Sequence, residues 1–200
     1  MPTVAVIRFP GSDAFVADPL VLKDALNILV KADGVISTYY GIQTEDGRSG
    51  YLVVIWETYE HHMNFKQHVS YPGLLTAVSL ARSGPLDIQH VDFDRDAVLS
   101  FDVPATELVF MTPKAGVSLD DFHDKLATLR EHLIKDTTCH AIAVGASREN
   151  KGTWLMVLGW DSVQAHVDAV SEGIFPELVK NLFAVADIDL KHTNLVKYAA

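Results

Sequence analysis

The chain has 200 residues, 48% of them hydrophobic and 21% charged, with one cysteine. Sixteen Lys and Arg stand against 26 Asp and Glu, a net charge of -10. This balance excludes a disordered or disulfide-framed chain, and a surface so acidic makes nucleic acid and anionic membranes poor partners. No stretch reaches the ~20 apolar residues of a membrane span. The opening MPTVAVIRFPGSD lacks the basic start and long apolar core of a secretion signal. A soluble cytoplasmic protein is expected. Cys139 stands alone, so it can form neither an intrachain disulfide nor a cysteine-based zinc site.

Thr3–Phe9 (TVAVIRF) is a β-rich run ended by Pro10-Gly11. Asp18 and Pro19 suit an N-cap and a first helical position; Leu22, Leu26 and Leu29 space an apolar face, and Asp33-Gly34 closes the helix. Strands follow over Val35–Thr44 and Gly50–Glu57, joined through a hairpin-type turn at Glu45-Asp46-Gly47. Thr58 caps a second helix, which Tyr71-Pro72-Gly73 interrupts, and Leu86–Phe93 is a fourth strand. The series then returns. Strands are expected over Glu107–Met111, Cys139–Ser147, Gly152–Trp160 and Ile188–Leu195, with helices from Ser118 to about Leu133 and from Ser162 to about Leu182.

Each half thus reads β-α-β-β-α-β. An offset of 104 carries Trp56, Glu57, Thr58 and His62 onto Trp160, Asp161, Ser162 and His166, and Tyr71-Pro72 onto Phe175-Pro176. Two residues of slack carry His90 onto His192. We expect an internal duplication with repeats over 1–94 and 106–200 and a linker over 95–105. The third strands, YLVVIW and TWLMVLGW, are almost continuously apolar, so both of their faces should be covered. Helices can cover one face of each sheet, and the other sheet is the natural cover for the second.

A unit whose third strand ends in Trp-Glu-Thr or Trp-Asp-Ser, followed by a helix with a His and then Tyr-Pro or Phe-Pro, resembles the dimeric α+β barrel superfamily. It is most similar to antibiotic-biosynthesis-monooxygenase (ABM) domains and to stress-responsive A/B barrel domains, here as a tandem pair. The resemblance implies an α+β fold of two ferredoxin-like repeats whose antiparallel sheets pack into a barrel. It implies cofactor-independent monooxygenase chemistry, or related lyase or cyclase proton transfer, on an aromatic or polyketide-like substrate in an apolar cavity. The alternative is a non-catalytic stress or ligand-binding protein. The fused pair would be a monomer with an internal pseudo-dimer, or would pair again as a homodimer. Plant polyketide cyclases of the superfamily carry a His two residues after the second-helix proline and a Tyr four before it. Those positions hold Leu74 and His68 in the first repeat and Leu178 and Glu172 in the second, so that dyad is absent. Haem-degrading members carry an Asn in the first strand, and neither TVAVIRF nor ELVFMT has one.

The first repeat holds the richer set of proton-active residues. His62 or His90 is the expected base, with Tyr39 or Tyr51 stabilising an oxyanion. Tyr40, Trp56, Phe65, His140, Trp154, His166 and His192 are the expected substrate-binding residues. Each has a structural alternative: His62 and His166 could fix the strand-to-helix corner against the Trp, and the aromatic residues could simply pack. No metal site is expected, because His61 and His62 point about 100° apart on a helix. No cofactor is expected either, since no Gly-rich phosphate loop is present.

Overall fold

The computed structural model describes residues 2–199. They form two compact units: one runs up to Phe93 and takes back the chain from Thr193 onward, and the other is Asp94–His192.

In the first unit, β1 (Thr3–Phe9), β2 (Val35–Ile42), β3 (Gly50–Trp56) and β4 (Asp87–Val91) form the expected sheet, in the order β4-β1-β3-β2. Both neighbours of β1 and both neighbours of β3 run antiparallel. The helical part is more divided than the sequence suggests. Ser12 accepts from Phe15 N–H and starts an extra short helix, α1 (Asp13–Ala17). Asp18 then accepts from Leu20 N–H and opens a 3-10 turn before α2 (Lys23–Leu29). Thr58 caps α3 (Tyr59–Phe65), and α4 (Tyr71–Ser79) follows. Pro72 lies in the first turn of α4, where its missing N–H costs nothing, so it begins a helix and the break falls just before it.

The second unit repeats this plan. Its sheet has the order β6-β7-β5-β8, built from β5 (Ala105–Pro113), β6 (Cys139–Ala146), β7 (Trp154–Trp160) and β8 (Ala186–Thr193). Its helices are α6 (Leu119–Leu133), α7 (Val163–Ser171) and α8 (Phe175–Val185). Ser118 and Ser162 cap α6 and α7 as expected. The duplication extends to fine detail. Thr3 pairs with Trp56 and Ala105 with Trp160, and the edge strands carry the same irregularity, between Val35 and Ser37 and between Cys139 and Ala141.

Two stretches depart from the expected boundaries. The segment 95–105, expected to be a linker, is built into the second unit. It forms the short helix α5 (Val98–Phe101), with Ser100 and Phe101 fully buried, and Thr106 donates to the Ser100 carbonyl at 2.7 Å. α5 lies so close to β7 that a Cβ on Gly159 would sit 3.1 Å from the Ser100 Cα. Asp94, ahead of it, accepts from Val144 N–H at 2.9 Å and pairs with Arg130 at 2.7 Å. At the other end, Val196–Tyr198 is a ninth strand, β9, which joins the β2 edge and makes the first sheet five-stranded. Gly41 admits this crossing chain, since a Cβ there would lie 2.5 Å from the Asn194 carbonyl oxygen. Tyr198 completes the seam by donating to Asn27 at 2.7 Å.

β3 is buried along its whole length. In the first unit Ala5, Ile7, Phe9, Leu52, Val54 and Trp56 face the helices, packing on Leu22, Leu26, Leu29, Leu74 and Val78. By the two-residue period, Tyr39, Tyr51, Val53 and Ile55 lie on the opposite face, also buried.

Candidate active site

Each unit brings a strand-end Trp and two His to the helix-facing side of its sheet. In the first, Thr58 starts α3 and so places His62 one turn along, where its ring stacks on Trp56 with centroids 4.6 Å apart and planes 3° apart. His90, opposite Ala5 in the ladder, meets it: His62 Nδ1 lies 2.6 Å from His90 Nε2. The second unit repeats this from Ser162, with His166 Nδ1 2.8 Å from His192 Nε2 and Trp160 4.9 Å from the His166 ring. Both pairs are buried, and burial together with the neighbouring imidazole pushes His62 down to about 3 and His166 down to about 4. All the same, a proton still links the two nitrogens of each pair, and near neutral pH His62 and His166 are uncharged.

The units then diverge at one strand position. Glu107 is opposite Leu158 in the second sheet, and Ala5 is opposite Val54, its counterpart, in the first. Glu107 faces the helices, is 3% exposed, and accepts from the Trp160 indole N–H at 2.7 Å. Its Oε2 lies 3.6 Å from His166 Nε2. In the first unit the equivalent Trp56 N–H is buried without a partner. A second difference lies on the helices. Phe65 packs against Trp56 at 5.7 Å, whereas the matching position on α7 is Ala169.

Beside Glu107 and His166 the second unit contains a cavity of about 130 Å³. Its walls are otherwise apolar, including Leu129 and Leu133 of α6, Met156 of β7 and Leu182 of α8. The site is thus a greasy chamber with one polar end, at which a carboxylate is fixed by an indole N–H and flanked by a neutral imidazole. Donor atoms of Glu107, His166 and His192 lie within 4.8 Å of one another, close enough for one small cation. His166, however, turns one nitrogen to His192 and the other to Glu107, so sharing an ion would require breaking the His–His bond.

Residues 104–180, which hold this carboxylate, the Trp and the first His of the pair, match the antibiotic biosynthesis monooxygenase family. That match covers most of the second repeat. Among curated proteins, none matches the chain. Solved structures share its whole tandem fold. A candidate monooxygenase of Fusobacterium nucleatum subsp. nucleatum ATCC 25586 is 12% identical with a TM-score of 0.70, over 100% of this chain and 98% of that one. An anthrone oxidase-like protein is 12% identical with a TM-score of 0.68, over 98% and 91%. A candidate monooxygenase of Lactobacillus acidophilus NCFM is 9% identical with a TM-score of 0.64, over 98% and 93%. At such identities the likeness is one of fold: two ferredoxin-like α+β repeats in tandem.

The expected site residues separate into groups. His62, His90, Trp56 and Phe65 come together in the first unit, and His166 and His192 in the second. Tyr39 and Tyr51 do not join the histidines, because odd-numbered positions of β3, and of β2 beyond its irregularity, face away from the helices; Tyr51 lies 3.4 Å from Gln43 Oε1 there. Tyr40 faces the helices beside the β9 seam, and burial followed by Asp18 and Tyr198 raises its pKa. Trp154 starts β7, roughly 20 Å from Trp160 at the rise of a strand, and packs edge-on to His123. His140 occupies the edge-strand irregularity and pairs with Asp161 at 2.7 Å, with its side chain 43% exposed. The sequence reading missed Glu107. Its signal was period two: Glu107, Val109 and Met111 fall on one strand face, so a carboxylate sits in an otherwise apolar row.

Proposed function

We propose that the chain is an ABM-type small-molecule enzyme that removes a proton from a hydrophobic substrate, and that the second unit is the working half. The observation that carries this reading is the buried Glu107 carboxylate, 3.6 Å from His166 Nε2, at the one polar end of an apolar cavity. In its ionised form this carboxylate only accepts hydrogen bonds, and so it can take a proton from a substrate O–H or activated C–H. The Trp160 N–H holds it in place at 2.7 Å. His166, kept neutral by burial and by His192, adds no competing charge and can pass a proton along the Nδ1···Nε2 contact to His192.

The anion left behind is electron-rich and lies among apolar walls. In the monooxygenase form of the reaction it supplies the electrons that reduce oxygen. A ring CH2 becomes C=O, one atom of O2 enters the ring, and the other leaves as water with the two hydrogens. In the lyase or isomerase form the same anion reprotonates or expels a group.

The test is oxygen uptake together with solvent-deuterium exchange into phenols and cyclic enols, comparing the native protein with Glu107→Gln. Exchange or uptake that falls about 100-fold in the variant supports the reading. Full activity in Glu107→Gln, or neither exchange nor uptake across the panel, overturns it in favour of a non-catalytic barrel protein.

A further inference from the structure

The working cavity also contains information about what it admits. It measures about 130 Å³, close to the ~150 Å³ engineered cavity that takes up benzene, so it holds one ring and not two or three. Eleven of its wall residues are aliphatic, Met, or Phe, and no Lys or Arg lines it. An anionic ligand would therefore bury a second negative group beside Glu107 with no cation to meet it. An ammonium group would bring three N–H donors to a carboxylate whose Oε2 already accepts from Trp160, at the desolvation cost of a full charge among apolar walls. A neutral ring with one O–H has one donor for a carboxylate oxygen, no charge to desolvate, and apolar faces for apolar walls.

The wall is also uneven in exposure. Leu158, Trp160 and Leu182 are buried, whereas Phe183 of α8 is 47% exposed although it lines the same cavity. Phe183 thus stands at the mouth, and its backbone is tied down by Lys114 Nζ, which donates to the Phe183 carbonyl at 2.6 Å. A half-exposed Phe on an anchored helix can admit a ligand by changing its χ1 and χ2 rotamers without moving the backbone.

We infer that the second unit's cavity selects a neutral single-ring compound bearing one weakly acidic O–H, a phenol or cyclic enol, oriented by Glu107 and admitted past Phe183. This rests on the proposed function for its chemistry but on cavity size and lining for its selectivity.

The experiment is calorimetric titration of the full chain with phenol, benzoate, benzylamine and 2-naphthol, repeated on Glu107→Gln and Phe183→Ala. Phenol should bind saturably, with benzoate and benzylamine at least about tenfold weaker. 2-Naphthol should be excluded by the native protein and admitted by Phe183→Ala, and Glu107→Gln should weaken phenol about tenfold. Should either variant fail to melt cooperatively, Val179→Phe, which fills the cavity from its wall, should abolish phenol binding. Benzoate or benzylamine binding as tightly as phenol overturns the inference, as does 2-naphthol binding equally well to the native protein. So does phenol affinity unchanged in both Glu107→Gln and Val179→Phe. Phenol binding with this selectivity but without proton exchange would sink the catalytic reading and leave this one standing. Turnover of an anionic substrate would do the reverse.

Discussion

The two units share a fold, a ladder register, a strand-end Trp and a hydrogen-bonded His pair, yet the residues around that Trp and His differ. In the first, Ala5 faces the Trp56–His62 stack and Phe65 covers it. In the second, Glu107 takes the place of Ala5 and Ala169 that of Phe65, and a cavity of about 130 Å³ lies alongside. What recurs in both is architecture. The His–His contact fixes the corner between the helix and the last strand whether or not a pocket exists. What differs is the set of side chains at two equivalent positions, one holding a carboxylate in the second unit and the other a ring in the first.

The comparison can be broken most severely at Glu107. Replacing it with Ala leaves the Trp160 N–H buried without its acceptor and removes the proposed base. Turnover should drop by two orders of magnitude or more, with a stability loss of about 2 kcal/mol. Denaturant melts and substrate deuterium exchange would check both, and an unchanged exchange rate would assign the chemistry elsewhere.

Exchanging the covering residues comes next. Phe65→Ala should cost about 3–5 kcal/mol in chemical denaturation, because it opens a void against Trp56 that apolar neighbours can only partly close. Ala169→Phe should do the opposite in the second unit, narrowing the cavity and weakening ligand binding at least about tenfold while the melting temperature holds or rises. Ligand affinity unaffected by Ala169→Phe would show that the space beside Trp160 is not where the ligand sits.

The His pairs predict a pH dependence. Both His62 and His166 are pushed below the ordinary imidazole value of about 6.5, to about 3 and about 4. The unfolded chain therefore binds more protons than the folded one in the acid range. Stability should be full above pH ~6.5 and fall progressively as pH drops towards 4 for His166 and 3 for His62. His62→Phe should flatten this acid slope without altering turnover, and His166→Phe should flatten it while also slowing turnover. Equal kinetic losses in both variants would erase the distinction between the units.

The smallest effect is expected at Tyr51. Its hydroxyl donates to Gln43 Oε1 across a long 3.4 Å, on the face away from the histidines. Tyr51→Phe should change stability by less than about 1 kcal/mol and leave turnover alone. A large kinetic loss would return the oxyanion role to this residue.

Much of the fold could be read along the chain because its signals are local. The repeat of Trp-Glu-Thr and Trp-Asp-Ser, the caps at Thr58, Ser118 and Ser162, and the continuous apolar runs of β3 and β7 each act within a few residues. Spacing alone also paired His62 with His166 and His90 with His192 as equivalents. It did not reveal that the members of each pair touch, since 28 residues separate His62 from His90 and 26 separate His166 from His192. Nor did it find β9, whose partner strand lies more than 150 positions earlier, or the burial of Val98–Phe101 against β7.

The sequence by itself determined the two β-α-β-β-α-β repeats, their caps and the joints at which Trp and His recur, because hydrophobic period and capping chemistry are properties of neighbouring residues. The tertiary structure alone decided which of those residues share a site. A strand sends alternate side chains to opposite faces, so Tyr51 left the histidines and Glu107 joined them. Packing likewise decided what lies against each strand-end Trp: Phe65 meets Trp56, where the second unit has Ala169 at the matching position.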